Sequence, residues 1–157
     1  MHISGEITIS GKREAVFDRL KNPDQFVSLV EGIKDLKEID STHYEAVFET
    51  KIAYLRFKFQ VAVEVLAMER PNRIATRIEG TPLGVIGRLS ATTETTLTEV
   101  GDETRITYSV DAAITGKLGS MGQPVLRSKA NELAAQFAHN LSALFLDEKK
   151  RVPNESL

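Results

Sequence analysis

Apolar residues recur at spacings of three and four through TGKLGSMGQPVLRSKANELAAQFAHNLSALFLDEKK, residues 115–150. Leu126, Ala130, Leu133, Phe137, Leu141 and Leu144 make one stripe at about 100° per residue, widened by Ala134, Ala138 and Phe145. No Gly or Pro interrupts it after Pro124, so the pattern predicts one helix from about Gln123 to about Glu148. A helix of roughly 25 residues spans about 38 Å. In a chain of 157 residues it must lie along something equally long.

Upstream the period is two. Ile3, Ile7 and Ile9 alternate with Ser4, Glu6 and Thr8 in a first strand, with Gly5 on the inner face. Two short helices follow. Ser10 is placed to cap one from about Lys12 to Leu20, with Val16, Phe17 and Leu20 inward. Asn22-Pro23 reads as the cap and first residue of another, running to about Val30 and burying Phe26, Leu29 and Val30 before Gly32. Leu36 and Ile39 then suggest a short strand, and Tyr44, Ala46, Phe48, Thr50 and Ile52 the core face of the next. The clearest alternation is Leu55, Phe57, Phe59, Val61, Val63 and Val65, a strand of about eleven residues with one apolar and one wet face. Ile74, Thr76 and Ile78, then Leu89 to Leu97, then Thr104 to Ile114 supply three more, with turns at Arg70-Pro71-Asn72 and Gly101-Asp102.

Strands in succession with short connections pair antiparallel. A seven-strand sheet with one apolar face needs a cover, and only the C-terminal helix is long enough to provide it. The expected fold is therefore α+β of the helix-grip kind: a curved antiparallel sheet around a long C-terminal helix, with two short helices after the first strand. One domain is expected over residues 1–150, with a short tail at 151–157.

Composition and phase remove support from several function classes. The formal net charge is -2, and the 20 basic residues are read as spread out rather than clustered on a face, which gives nucleic-acid binding no electrostatic support. Cysteine is absent, which removes disulfides and thiolate metal sites and suits a cytoplasmic setting. MHISGEITIS has neither the basic nor the apolar region of a secretion signal, and no run approaches 18 apolar residues. His2, His43 and His139 fall on outward faces, as do Glu45, Glu49, Glu64, Glu94 and Asp111. Neither a metal site nor an acid–base pair aimed inward follows from such phases. No catalytic residue, metal or cofactor is expected. Gly116, Gly119 and Gly122 do not follow the spacing of a dinucleotide loop and read as a turn that approaches the sheet closely.

The residues also carry a family likeness over nearly the whole chain. GKLGSMGQPVLRSKANELAAQFAHNL (Gly116 to Leu141) resembles the Gly-x-Leu-x-x-x-Gly lead into an Ala- and Phe-rich helix of the CoxG group of carbon monoxide dehydrogenase proteins, within the START-like, or SRPBCC, superfamily. KNPDQFVSLVEGIKDLKEI is similar to that group's opening, and TKIAYLRFKFQVAVEV matches its strand in character more than in identity. GTPLGVIG (Gly80 to Gly87) departs from the group's denser glycine pattern. The resemblance implies a hydrophobic ligand cavity between sheet and helix, recruitment of a molybdenum hydroxylase to the membrane, and the handling of quinones.

A curved sheet that stands away from its helix leaves an internal cleft. The expected lining is Tyr44, Phe48, Phe57, Phe59, Thr76, Ile78, Thr93, Tyr108, Leu133 and Phe137, with Thr95 adding a further hydroxyl. An apolar wall with sparse hydroxyls suits a lipid, quinone or polycyclic ligand; the alternative is a packed core. Leu83, Val85 and Ile86 are expected to form a gate over the cavity, a membrane or partner contact, or ordinary core. Lys149-Lys150-Arg151 complements the dipole of the long helix and makes a poor membrane anchor beside Asp147 and Glu148. Three readings follow: a non-catalytic carrier of an apolar small molecule serving an oxidoreductase partner, an aromatase/cyclase-type enzyme using the same cleft, and an oxidoreductase assembly factor. Membrane contact is expected to be at most peripheral, at the inner face.

Overall fold

The computed structural model describes residues 1–155, with the side chains of residues 1–146. In chain order the elements are β1 (His2–Ile9), α1 (Arg13–Lys21), α2 (Pro23–Ser28), β2 (Ile33–Asp40), β3 (His43–Ile52) and β4 (Leu55–Glu69). Then come β5 (Arg73–Pro82), β6 (Gly87–Val100), β7 (Glu103–Thr115), α3 (Gly116–Gly119) and α4 (Gln123–Glu155). The strands form one seven-stranded antiparallel sheet in the order β1-β7-β6-β5-β4-β3-β2. Every neighbour is a sequence neighbour except β1, which closes against β7. This is the helix-grip architecture.

Period-two patterning sets the register. Inward residues line up across the sheet in rows, one of which is Tyr44, Val63, Ile78, Ala91 and Ala112. The next is Val65, Thr76, Thr93, Val110 and Ile3. The third is Ile74, Thr95, Tyr108 and Gly5. Gly5 is required there, because a Cβ at that position would collide with the Tyr108 ring and hydroxyl.

The core divides in two. One cluster joins Ile9, Val16, Phe17, Leu29, Leu97 and Ile106 to Leu141 and Phe145 of α4. The other joins Ile52, Phe57, Phe59 and Leu118 to Leu126 near the start of α4. The wet face carries exposed ion pairs, among them Lys34–Glu49 at 2.8 Å and Arg77–Glu64 at 3.0 Å.

Several local expectations need correction. Lys12, not Ser10, precedes the first turn of α1, and it makes no capping bond through its side chain. Asn22 does cap α2, accepting from the Gln25 amide at 3.1 Å, but that helix stops at Ser28. Phe26 is 39% exposed rather than buried: it leans on Phe137 with ring centroids 5.4 Å apart instead of entering a cluster. Ile39 is also exposed, on a strand whose pairing with β3 is irregular. β4 has 15 residues, and a bulge between Val65 and Ala67 shifts its phase. Gly80 to Pro82 extend β5, so the connection to β6 is only residues 83–86. The helix α4 runs to Glu155. The side chains of Lys149, Lys150 and Arg151, and all of Ser156 and Leu157, lie outside the described residues.

The spread of basic residues along the sequence also gives way in three dimensions. Residues 50–63, 80–93 and 112–131 contain no Asp or Glu. The topology gathers their turns at one end of the sheet, with Lys51, Arg56, Lys58, Arg88 and Lys117.

Leu141 is fully buried in the first cluster and Leu133 only partly buried on the same helix. Leu141→Ala should cost about 2–5 kcal/mol and Leu133→Ala less than half as much, measured by urea denaturation. Asp18 binds Arg70 through both oxygens, at 2.9 and 3.1 Å, tying α1 to the β4–β5 turn. The Arg70 guanidinium, helped by Lys21, holds the Asp18 carboxyl down at about 2. Because the folded value is depressed, the stabilisation is present above about pH 4 and is lost as pH falls toward the folded value. In Arg70→Gln the Asp18 carboxyl should titrate nearer the ordinary value, read by NMR, and stability should fall less steeply through that window.

Candidate functional site

Between the two clusters lies a belt in which both walls face inward yet neither is fully covered. On the sheet it comprises Tyr44, Ala46, Val61, Val63, Val65, Thr76, Ile78, Thr93, Thr95, Tyr108 and Val110, all half-buried. On α4 it comprises Ala130, Leu133, Ala134 and Phe137, also half-buried. The α4 backbone comes nearest to β1 and β3, the strands toward the sides of the sheet, and stands back from the strands between them. Close-packed surfaces would bury these side chains as fully as the two clusters bury theirs.

The expected lining residues fall into three groups. Thr76, Ile78 and Thr93 sit together on adjacent strands in the belt, with the Thr76 and Thr93 hydroxyls 2.6 Å apart. Tyr108 is beside them, its ring over Gly5 and next to Thr95, and its hydroxyl makes no hydrogen bond among the described residues. Leu133 is half-buried on α4. Phe48, Phe57 and Phe59 form a second group, stacked with centroids 6.2 and 5.9 Å apart. Phe57 and Phe59 are buried in the second cluster, so they wall off one end of the belt. Phe137 belongs with Phe26 at the other end and packs against the first cluster. The four rings of Phe57, Phe59, Tyr108 and Phe137 therefore bound the space from different sides and do not converge on one point. Tyr44 keeps its ring in the belt while its hydroxyl donates to the Ser41 carbonyl at 3.3 Å, at the rim. Desolvation, with Glu38 and Asp40 nearby, pushes that hydroxyl above its ordinary pKa.

The ionisable side chains singled out in the sequence lie outside this belt. His43 lies between Asp40 at 2.8 Å and Glu64 at 3.1 Å on the wet face, and these two carboxylates raise its pKa. His2 pairs with Asp111 at 2.7 Å, and His139 is exposed. Glu49 is held below the usual carboxylate range by Lys34 and Lys58, and Glu79 by Ser90 and Arg88. Among the described residues no group of three or more His, Asp or Glu is placed to hold a metal ion. An inner wall of this chemistry can enclose an apolar molecule and offer hydroxyls to one or two polar atoms; among the described residues named in it there is no carboxylate or imidazole.

Sequence alone does not mark Phe26 and Asn140 as site residues. Asn140 donates to the Leu29 carbonyl at 2.9 Å and Gln136 to Glu31 at 2.7 Å, so α2 and its exit loop are sewn to α4 beside Phe137. An aromatic in a very short helix is the one signal for Phe26. For Asn140 there is none, because its partner is a backbone carbonyl.

The turn at residues 83–86 sits at the opposite end. Its Leu83 amide donates to the Lys58 carbonyl at 2.8 Å, and its Ile86 carbonyl accepts from the Lys117 amide at 2.9 Å. Gly87 and Gly116 meet there so closely that a Cβ on Gly116 would strike the Ile86 carbonyl, and both have positive φ. Leu83, Val85 and Ile86 are all exposed to solvent. Nearby, a cleft of about 590 Å³ separates the end of β3 from the first turns of α4, lined by Lys51, Ile52, Val125, Lys129 and Glu132. A second indentation, of about 400 Å³, includes Arg77, Glu79, Thr92 and Asp111 and lies on the wet face, away from the belt.

Comparison with known proteins agrees with this architecture. A conserved protein from Geobacillus kaustophilus superposes with a TM-score of 0.87 at 25% identity, covering 94% of this chain and 96% of that one. A START superfamily protein from Mycobacterium smegmatis gives 0.70 at 12% identity, over 93% and 97% of the two chains. A protein from Chromobacterium violaceum gives 0.68 at 16%, over 92% and 96%. These structures show the fold to be START-like. No curated protein sequence matches the chain. No helix among the described residues is long and apolar enough to cross a membrane. The sequence model for the carbon monoxide dehydrogenase CoxG family matches residues 5–145, and the chain belongs to that family.

Proposed function

We propose that the protein is a non-catalytic carrier that holds an apolar small molecule, lipid- or quinone-like, between its sheet and α4. The observation that carries this reading is the half-buried belt, apolar on both walls and furnished with the Thr76–Thr93 hydroxyl pair and the Tyr108 hydroxyl, which has no hydrogen bond among the described residues. Membership of the CoxG family supports an accessory role beside a molybdenum hydroxylase of the carbon monoxide dehydrogenase type. No requirement for metal, cofactor or nucleic acid enters the reading. The protein would work in the cytoplasm, with peripheral contact at the inner membrane face. One domain, residues 1–150, would carry the whole function. An aromatase/cyclase-type activity has less support, since the belt contains no acid–base pair, and a purely structural assembly role would leave the belt unexplained.

A solvatochromic probe or a quinone analogue should bind with about micromolar affinity, near −8 kcal/mol. Strand phase suggests Ala91 for a blocking substitution, but Ala91 is buried. Ala134, half-buried on α4 and facing the belt, is the better position. Ala134→Phe should weaken probe binding by about tenfold or more while the melting temperature stays within a few degrees, because open space accommodates a ring that a packed core rejects. Absence of probe binding together with an unfolded Ala134→Phe would mean that helix and sheet are packed together. Native mass spectrometry of the purified protein, followed by lipid extraction, identifies any molecule carried from the cell.

The turn of Leu83, Val85 and Ile86 is proposed as the gate. Its two end hydrogen bonds fix Leu83 and Ile86, which leaves Gly84 and Val85 as the part able to swing. Their amides should exchange rapidly in the empty protein and slow when a probe saturates the site. Equal exchange in both states would remove the gate.

A further inference from the structure

The cleft of about 590 Å³ between the end of β3 and the first turns of α4 lies within the size range of small-molecule sites, and its walls are of two kinds. The apolar part is continuous with the interior. Ile52 is 6% exposed, Val125 packs against the same buried cluster, and Ala130 and Leu133 of the belt follow along α4. Lys129 stands at the junction. Only 16% of its side chain is exposed, an unusual degree of cover for a lysine. A lysine stem lies on apolar surface at little cost, but with so little of the side chain in water the ammonium needs an anion beside it. Its ion pair among the described residues is with Glu132, 3.3 Å away on the same helix and itself 69% exposed. A pair of that kind contributes little and is readily exchanged. Lys51, on the facing wall, has no ion pair among the described residues, and Glu132 is the one carboxylate among the residues that line the cleft.

We propose that this cleft is the headgroup site for a long-chain carboxylate, whose anionic end lies between Lys129 and Lys51 and whose apolar chain passes Ile52 and Val125 into the belt. The site extends the carrier reading, on which it rests, and narrows the ligand to an apolar chain charged at one end. The belt offers hydroxyls and aliphatic groups but no cation, so a carboxylate placed there would be an uncompensated ion. At the cleft the same charge keeps contact with water and gains a lysine. Four residues of helix, about 6 Å, separate Lys129 from Leu133, so a chain reaches the belt within a few methylenes of its head. A neutral chain gains nothing from the lysines. A free small anion leaves the apolar surface of Ile52 and Val125 unused, and the pairing of the two kinds of wall therefore selects a molecule that has both parts.

The test is displacement of the bound solvatochromic probe from the full chain by decanoate and by decanol, at about pH 8, where the carboxylate is fully ionised. Decanoate should displace the probe at a concentration about tenfold lower than decanol, the effect of one charge-assisted contact. Lys129→Met keeps most of the stem and should raise the decanoate concentration needed by about tenfold while leaving decanol unchanged. Lys51→Met should act in the same direction and more weakly. Glu132→Gln should act in the opposite direction, by about threefold, because it removes the carboxylate that competes for Lys129. A pair that merely held the helix would not give opposite signs for its two members. None of the three residues belongs to a buried cluster, and unchanged melting curves verify the fold. Decanol that displaces the probe as well as decanoate, or a decanoate preference that survives both lysine variants, would overturn the headgroup site and leave the carrier reading in place. Failure of the probe itself to bind would remove the carrier reading and this site with it. Acetate or polyglutamate that blocks decanoate at an equal concentration of carboxylate would mark a site for free anions or for an acidic protein, and would overturn the proposal as well.

Discussion

The long helix is held to the sheet at two places and not along its middle, and the rest of the structure depends on that arrangement. Leu141 and Phe145 are locked into the cluster built on Ile9, Phe17, Leu97 and Ile106. Leu126 is locked into the cluster of Ile52, Phe57, Phe59 and Leu118. Leu126 and Leu141 are about 22 Å apart along α4. Each fully buried side chain of this size contributes roughly 1.5–3 kcal/mol, so a few at each end can fix the helix. The span between them is then free of the need to close-pack. The half-buried belt between them follows from the same two contacts.

Charge placement reinforces the separation. The pairs among Arg73, Glu69 and Glu94, between Arg77 and Glu64, and between Arg88 and Glu79 all lie on the wet face of the sheet. Exposed pairs of this kind contribute little individually to stability. Their location matters more than their strength. By keeping these charges on the wet face, the alternation leaves an interior of aliphatic groups, rings and hydroxyls, which can exclude water from a neutral ligand without burying an uncompensated ion.

The architecture was legible because it rests on local periodicity. Alternation marks the inward set on β4 from Phe57 through Val65, though Leu55 at the turn is exposed; the 3.6-residue stripe marks α4, and Asn22-Pro23 the start of α2. Failures occurred where a distant partner overrides local preference. The bulge after Val65 exists only in the pairing with β5, and Gly80 to Pro82 become strand because Phe59, Gln60 and Val61 pair with them. The division of the aromatic residues could not be read from strand phase. Phe57, Phe59 and Tyr108 all point inward, yet position along the strand decides whether each is plug or lining. The basic end is not legible in sequence order for a similar reason: its residues, Lys51 to Lys117, lie up to 66 positions apart, and only the turns bring them together.

Asymmetry between the two plugs determines where such an interior would open. The plug at the α1–α2 end is covered by two helices and sewn to α4 through Asn140, Gln136 and the Phe26–Phe137 contact. Opening there would break several side-chain bonds and expose fully buried residues. The plug at the other end is covered by the four-residue α3, through Leu118, and by turns held by the Leu83–Lys58 and Ile86–Lys117 backbone bonds, and the adjoining cleft already separates β3 from α4. Local opening follows the path that gives up the least burial.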